Sequence, residues 1–179
     1  IDRSIFVDSR AVFSSLIQNQ EVALSMARLY ADELLRKADR LELGVPKTAL
    51  ILANGSLDDI VGFFNKTFNV IDYQRFPVAD EFACRAFLQV LLLGAAMMPK
   101  VEVHSAHGRS DLEVDAGDRH WVFEIKFARS EAEVESLLQE GIRQVRHRHY
   151  GEALHSGKLC RAVLVFEKRC RAFSAWTSV

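Results

Sequence analysis

Apolar side chains recur at steps of three and four residues over positions 9–41, which is the spacing of one face of an α-helix. Gly44-Val45-Pro46 interrupts this spacing and predicts the end of the helical region. A second helix is predicted over 47–53. A third is predicted over 57–68, because Ser56 can serve as its N-cap and acidic residues fill its first turn.

The pattern changes from helical to alternating in the second half of the chain. Asp80 can cap a long helix from Glu81 to about Met97, which is apolar over most of its surface and is therefore expected to be largely buried. Three strands follow, then a helix that opens with a capping box at Ser130 and Glu133 and runs to about residue 155, and then two more strands. The predicted strands are 101–105, 110–115, 119–128, 162–167 and 172–177.

This order of elements predicts an α/β fold in which a mixed central sheet is flanked by helices and preceded by a helical segment. The chain has 179 residues, which is enough to bury a substantial core. We divide it into an N-terminal helical segment, 1–75, and a core, 76–179. These are structural regions rather than two independent domains, since no long linker or low-complexity tract separates them.

Composition and charge restrict the possible functions only moderately. The net charge is −1, so overall charge does not indicate a nucleic-acid partner. Charge is uneven, however, because residues 141–171 contain eight Lys or Arg and two acidic residues. A local basic surface can bind phosphate even when the whole chain is nearly neutral, although the same residues could simply form a solvated helix face.

The sequence also predicts where the protein works. No apolar run approaches the roughly 18–20 residues that are needed to span a bilayer, so no membrane association is expected. Three scattered cysteines without a C-x-x-C pair argue against structural zinc and favour buried, reduced thiols in the cytoplasm. The chain begins at Ile1 rather than Met, and we expect it to be a fragment of a longer protein.

Glu124 and Lys126 are the first residues that indicate chemistry. In a strand over 119–128 they point to the same face, two residues apart, among mostly apolar neighbours. A buried acid or lysine is costly unless it is paired or coordinates a ligand. An internal ion pair between the two would satisfy this requirement, and so would an active site.

Asp111 shifts the balance towards an active site. A hairpin turn at Ala116-Gly117-Asp118 can bring Asp111 beside Glu124 on the same face, although a register shift of one residue would separate them. Carboxylates are the ligands that Mg²⁺ prefers, and the carbonyl of Ile125 could add a third oxygen. Lys126 would then lie next to the ion, where it could orient or deprotonate the attacking water or stabilise charge on a phosphate.

The segment His107-Gly108-Arg109-Ser110-Asp111-Leu112, followed by Val122-Phe123-Glu124-Ile125-Lys126, resembles the PD-(D/E)xK nuclease superfamily. It is most similar to the bacterial branch that often lies C-terminal to an AAA-type ATPase module. That branch has Gln and Tyr on the next helix, where this chain has Gln144 and Tyr150. The resemblance covers roughly Gly55–Val179 and implies a restriction-endonuclease-like core.

The resemblance also extends the site. It implies that Glu81, on the first core helix, completes the metal shell, although Glu81 could merely be a first-turn acid favoured by the helix dipole. Glu102 is a further candidate, because the branch often has an acid on the preceding strand. Gln144 is implied to face the site and to position a water or phosphate. The nucleic-acid-binding candidates are Arg109, which could instead pair with an acid, and Arg143, Arg146, Arg148 and Tyr150.

The expected function is a Mg²⁺- or Mn²⁺-dependent endo- or exonuclease that hydrolyses phosphodiester bonds, with DNA as the expected substrate and metal-activated water as the nucleophile. The alternative is a catalytically idle nuclease-like domain that binds nucleic acid or a protein. The sequence contains no phosphate-binding Gly-x-x-x-x-Gly-Lys-Ser/Thr loop, so any ATPase module would lie upstream. Residues 1–75 could then form an interdomain or homodimer surface. The predicted catalytic residues are Asp111, Glu124, Lys126, Glu81 and Gln144, and the predicted metal ligands are Asp111, Glu124, Ile125 and Glu81.

Overall fold

The computed structural model describes residues 45–105, 108–148 and 157–179, together with the helical residue Leu29. The helical region predicted over 9–41 therefore lies, apart from Leu29, outside the described residues. The described elements of the core are, in chain order, α1 (Val45–Asn54), α2 (Leu57–Asn69), α3 (Glu81–Gly94), β1 (Lys100–Ser105), β2 (Gly108–Ala116), β3 (Arg119–Ala128), α4 (Glu131–Arg148), β4 (Lys158–Glu167) and β5 (Ala172–Ser178).

The five strands form one sheet in the order β1-β2-β3-β4-β5. Strands β3 and β4 are parallel, while the other neighbouring pairs are antiparallel. A parallel pair needs a long crossover connection, and α4 lies in that connection, packed against both strands. The predicted fold class, a mixed sheet flanked by helices, is confirmed.

The hairpin between β2 and β3 has the predicted turn. Ala116 pairs with Arg119, which leaves Gly117 and Asp118 as a two-residue connection. Gly117 has φ 61°, a conformation that glycine adopts without steric cost. The register pairs Leu112 with Phe123, and the next position along the same ladder places Asp111 opposite Glu124.

The two faces of the sheet are covered differently. One face carries a large core rich in phenylalanine, in which Phe68 of α2 makes an edge contact with Phe173 and Phe64 makes one with Phe123. The other face lies under α4 and has a smaller apolar cluster of Val122, Val145 and Val163. Helix α2 thus belongs to the same hydrophobic core as the sheet, and the division of the chain near residue 75 stays a prediction.

Several predicted boundaries and caps were wrong in detail. Helix α3 ends at Gly94 rather than near Met97, because Ala96 adopts φ 57° and the N–H of Met97 turns back to the carbonyl of Leu92 at 3.0 Å. Strand β4 begins at Lys158, four residues before its predicted start, because it pairs with β3 along its whole length. The part of the predicted helix beyond Arg148 lies outside the described residues.

The predicted capping box at Ser130 also differs from the structure. In such a box the acid at the third helical position accepts a hydrogen bond from the backbone N–H of the N-cap residue. Here the carboxylate of Glu133 instead accepts one from the N–H of Arg129, at 2.7 Å, one residue earlier. The acid still satisfies a backbone donor at the start of α4.

Two helical glycines allow a matched prediction about packing. A Cβ at Gly141 would overlap a methyl group of Val163, whereas a Cβ at Gly62 would meet no atom within 4 Å. Alanine normally stabilises a helix relative to glycine, so Gly62→Ala should raise the free energy of unfolding by about 0.5–1 kcal/mol. Gly141→Ala should lower it by about 1–3 kcal/mol, because the added methyl overpacks the interface between α4 and the sheet. Denaturant unfolding measures both, and a stabilised Gly141→Ala protein would contradict the observed packing.

Two further observations concern the predicted cellular location. Within the residues that the structure describes, no helix has both the length and the apolar character to cross a membrane. The cysteines are free thiols, but only Cys84 is buried, while Cys160 is half-buried and Cys170 is exposed. The expectation of buried thiols therefore holds for one of the three.

Candidate active site

Asp111 and Glu124 lie side by side on the hairpin, on the face covered by α4. Both side chains are buried. The Oδ2 atom of Asp111 accepts a hydrogen bond from the backbone N–H of Ile125 at 2.8 Å, which fixes the carboxylate against the neighbouring strand. The predicted proximity of these two carboxylates is confirmed.

Lys126 completes the group on the same face of β3. Its Nζ atom lies 3.0 Å from Oε1 of Glu124 and 3.6 Å from Oε1 of Glu140 on α4. The internal Glu–Lys ion pair that the sequence left open is therefore present. It belongs to a larger charged cluster, however, because Asp111 and Glu140 lie beside it.

The carboxylates of this cluster perturb one another. Burial, followed by the negative charge of Asp111, raises the pKa of Glu124 to about 7. Burial also raises the pKa of Asp111, against the hydrogen bond from Ile125 and nearby positive charges. Burial of Lys126 acts to lower its pKa, but the carboxylates of Glu124, Glu81 and Glu140 together outweigh this effect and raise the pKa above its usual value. Burial is thus the main cause of the raised pKa values of both carboxylates, and the charge of Asp111 adds to it at Glu124.

Glu81 lies next to this group. It occupies the first turn of α3, after the N-cap Asp80, whose carboxylate accepts a hydrogen bond from Ala83 N–H at 2.8 Å. Glu81 is half-buried, and its pKa is raised by burial and then by the charge of Asp111. Glu81 is therefore a first-turn acid that lies close to the candidate site, and its implied place in the metal shell stays a prediction.

Gln144 faces the sheet from α4. Its Nε2 atom is 3.5 Å from Oε1 of Glu140, one helical turn earlier. Its Oε1 atom is buried and accepts no hydrogen bond from the described residues, and Oε2 of Glu124 is in the same situation. Buried acceptors without a partner are costly, and a bound water molecule or cation would satisfy each of these two oxygens.

The sequence missed two charged residues of the site, Arg85 and Glu140. Arg85, on α3, is buried, and its guanidinium lies 2.7 Å from Glu102 and 3.7 Å from Asp111. Glu140 lies near both Lys126 and Gln144. Helical spacing carried a signal for each, because Arg85 follows Glu81 by four residues and Glu140 precedes Gln144 by four.

Glu102 occupies an unusual position on β1. One carboxylate oxygen contacts Arg85, and the other lies 3.3 Å from Arg109. Its backbone has φ 53°, which costs a residue with a side chain roughly 1–2 kcal/mol. The structure therefore places this further metal-ligand candidate between two arginines.

The predicted nucleic-acid contacts are spread over the surface. Arg109 is exposed at the start of β2, and Arg143 and Arg146 are exposed on α4. The side chain of Arg148 runs close to Gly108, at the start of the motif strand. Tyr150 lies outside the described residues. None of these positions tests nucleic-acid binding, which stays a prediction.

A family model of the PD-(D/E)XK nuclease superfamily matches residues 81–176, more than half of the chain. The chain belongs to the PD-(D/E)XK nuclease superfamily. The matched region runs from Glu81 through β5 and includes Asp111, Glu124, Lys126 and Gln144. A search among curated proteins found no match.

Members of the PD-(D/E)XK superfamily are typically dependent on divalent metals, and the side chains present here fit such an ion. Within 45–105, 108–148 and 157–179, no three His, Cys, Asp or Glu side chains already surround a metal position. The donors are suitable, because Asp111, Glu124 and Glu81 supply the hard oxygens that Mg²⁺ and Mn²⁺ prefer. The unpartnered oxygen of Glu124 and the adjacent negative charge of Asp111 both favour a cation.

Proposed function

We propose that this PD-(D/E)XK protein is a Mg²⁺- or Mn²⁺-dependent nuclease that hydrolyses phosphodiester bonds in nucleic acid, with DNA as the expected substrate. The observation that supports this proposal most strongly is the burial of Asp111 beside Glu124, with the Lys126 ammonium 3.0 Å from Glu124. Two adjacent buried carboxylates are costly for a structural role alone, because each favours protonation of the other.

In the proposed reaction, Asp111 and Glu124 hold the cation, and Glu81 supports it directly or through water. The bound cation would supply Lewis acidity towards the phosphate and lower the pKa of a nearby water. Lys126 orients that water or stabilises negative charge on the phosphate, while Gln144 offers an amide to a water or phosphate oxygen. Exposed arginines, Arg143 and Arg146 among them, contact backbone phosphates, which positions the substrate without reading its sequence.

A nuclease assay tests the proposal directly. The purified chain should cut linear, circular or single-stranded DNA in the presence of Mn²⁺ or Mg²⁺ and should stop cutting when EDTA is added. Glu124→Gln, which removes a buried carboxylate charge, should abolish cleavage while the circular dichroism spectrum is unchanged. Cutting of closed circular DNA would identify an endonuclease, and cutting of linear DNA alone would identify an exonuclease.

The assay also separates this proposal from its rival. A folded protein that binds DNA or Mn²⁺ but cleaves none of these substrates would favour the catalytically idle binding domain. The finer assignment, to the bacterial branch that follows an AAA-type ATPase module, is part of the proposal, as is an interdomain or homodimer surface on residues 1–75. Analytical ultracentrifugation of the chain tests the homodimer surface, since a dimer would support it and a monomer would contradict it.

A further inference from the structure

Arg85 is a buried cation next to a proposed metal ligand. The side chain of Arg85 is 9% exposed, so it is poorly placed to reach a phosphate in solvent. One of its nitrogens lies 2.7 Å from Glu102, within hydrogen-bond distance, and another lies 3.7 Å from Oδ1 of Asp111, beyond that distance. Arg85 is therefore bound to Glu102 and only near Asp111.

The position of Glu102 explains this asymmetry. The carboxylate of Glu102 is held by two guanidinium groups, Arg85 on one oxygen and Arg109 on the other. The backbone of Glu102 departs from extended geometry, at φ 53°, within a strand that is otherwise paired with β2 on both sides of it. Such departures persist where surrounding contacts fix them, and they occur often at functional sites.

The contact of Arg85 with Glu102 and its approach to Asp111 have opposite effects on the Asp111 carboxylate. A cation that closed onto Oδ1 of Asp111 would compete with a metal ion for the same oxygen, since both need its negative charge. Oδ2 of Asp111 already accepts a hydrogen bond from the N–H of Ile125, which leaves Oδ1 as the less occupied of the two oxygens for a metal ion. A partner that holds Arg85 back therefore preserves the metal site.

We propose that Glu102 is a positioning residue that acts through Arg85: it holds the guanidinium back from Asp111 and thereby keeps Asp111 available to the catalytic cation. This inference rests on the proposed metal dependence and assigns Glu102 a role other than metal ligand. It makes a specific prediction, because the effect of Glu102 on metal affinity must vanish when Arg85 carries no charge.

A double-mutant cycle on Mn²⁺ affinity, measured by calorimetry or by electron paramagnetic resonance without substrate, tests the proposal. Glu102→Met should weaken Mn²⁺ binding by roughly 10- to 100-fold, because loss of a partner that orients a metal ligand typically has that effect. Arg85→Met should bind Mn²⁺ at least as tightly as the wild type. The double variant should bind like Arg85→Met alone. Glu102→Gln, which retains an oxygen for Arg85, should lose less affinity than Glu102→Met.

Arg109→Met provides the matched control, because Arg109 contacts the other oxygen of Glu102. In that background Glu102→Met should still weaken binding. Circular dichroism and thermal unfolding verify that each variant is folded. If Arg85→Met does not fold, Arg85→Gln replaces it, because the glutamine amide is also uncharged.

Three outcomes would overturn the proposal. An equal loss of affinity with and without Arg85 would mean that Glu102 acts on the metal itself. An unchanged affinity in Glu102→Met would mean that Arg85 does not compete with the ion. No Mn²⁺ binding by the wild type would reject this inference together with the proposed function, whereas the first two outcomes leave the proposed function intact.

Discussion

Asp111→Asn is expected to abolish Mn²⁺ binding and to reduce DNA cleavage by about 10³-fold or more, since a metal ion contributes several kcal/mol to stabilising the transition state. The fold should survive, because the asparagine oxygen can still accept the hydrogen bond that Asp111 accepts from Ile125 N–H at 2.8 Å. Removing a buried negative charge beside Glu124 also relieves repulsion. Calorimetric titration with Mn²⁺, a cleavage assay and thermal unfolding measure the three properties separately.

Asp115→Asn is the matched control for this experiment. Asp115 lies on the same strand, four residues further along, but its side chain is exposed and pairs with His120 at 2.6 Å. The control should bind Mn²⁺ as the wild type does. If Asp111→Asn binds Mn²⁺ with unchanged affinity, then Asp111 is not a metal ligand and the proposed site is wrong.

Lys126→Met is expected to separate chemistry from metal binding. Cleavage should fall by about 10²- to 10⁴-fold, the usual contribution of a group that orients or deprotonates a nucleophile or stabilises developing charge. Mn²⁺ binding should persist or strengthen, because the ammonium no longer occupies Oε1 of Glu124, from which it lies 3.0 Å away. Single-turnover cleavage rates and Mn²⁺ titration of the same preparation provide the comparison.

Lys66→Met controls for the loss of a positive charge. Lys66 is exposed in the last turn of α2, outside the carboxylate cluster, and its replacement should leave the cleavage rate unchanged. Retained cleavage in a rigorously purified Lys126→Met protein would reject the role assigned to Lys126. A Lys126→Met protein that neither cleaves nor binds Mn²⁺ would instead mean that Lys126 is needed for metal binding.

The β2–β3 hairpin was predictable because its determinants are local. Gly117 allows a two-residue turn, and strand alternation then fixes which side chains share a face. Asp111 and Glu124 are thirteen positions apart, so a correct turn was enough to bring them together. Strand pattern and turn chemistry thus gave the centre of the site before any long-range packing was known.

Contacts between elements distant in the chain were harder to predict. Arg85 and Glu102 are seventeen residues apart, on a helix and a strand, and sequence spacing gave no distance between them. The left-handed backbone of Glu102 is likewise invisible in a strand pattern, because no glycine marks it. Arg85 was therefore missed, and the contact between Arg85 and Glu102 was not predicted, because it depends on packing between elements rather than on one hairpin.

Helix α4 shows an intermediate case. Its position after β3 was predicted, but four polar candidates, Arg143, Gln144, Arg146 and Arg148, cannot all share one face. The packing of Val145 against the sheet determines the rotation of the helix, and it leaves Gln144 near the carboxylates while Arg143 and Arg146 are exposed. A partly polar helix carries too weak an apolar pattern to fix that rotation from sequence alone.

Strand β1 forms one edge of the described sheet, and an edge strand presents backbone N–H and C=O groups that can pair with a strand of another molecule. Glu102 interrupts the extended backbone in the middle of this edge, at φ 53°, and places a charged side chain there. A second chain adding to β1 would meet both obstacles. The same residue that contacts Arg85 therefore makes the β1 edge a poor template for pairing with a second chain.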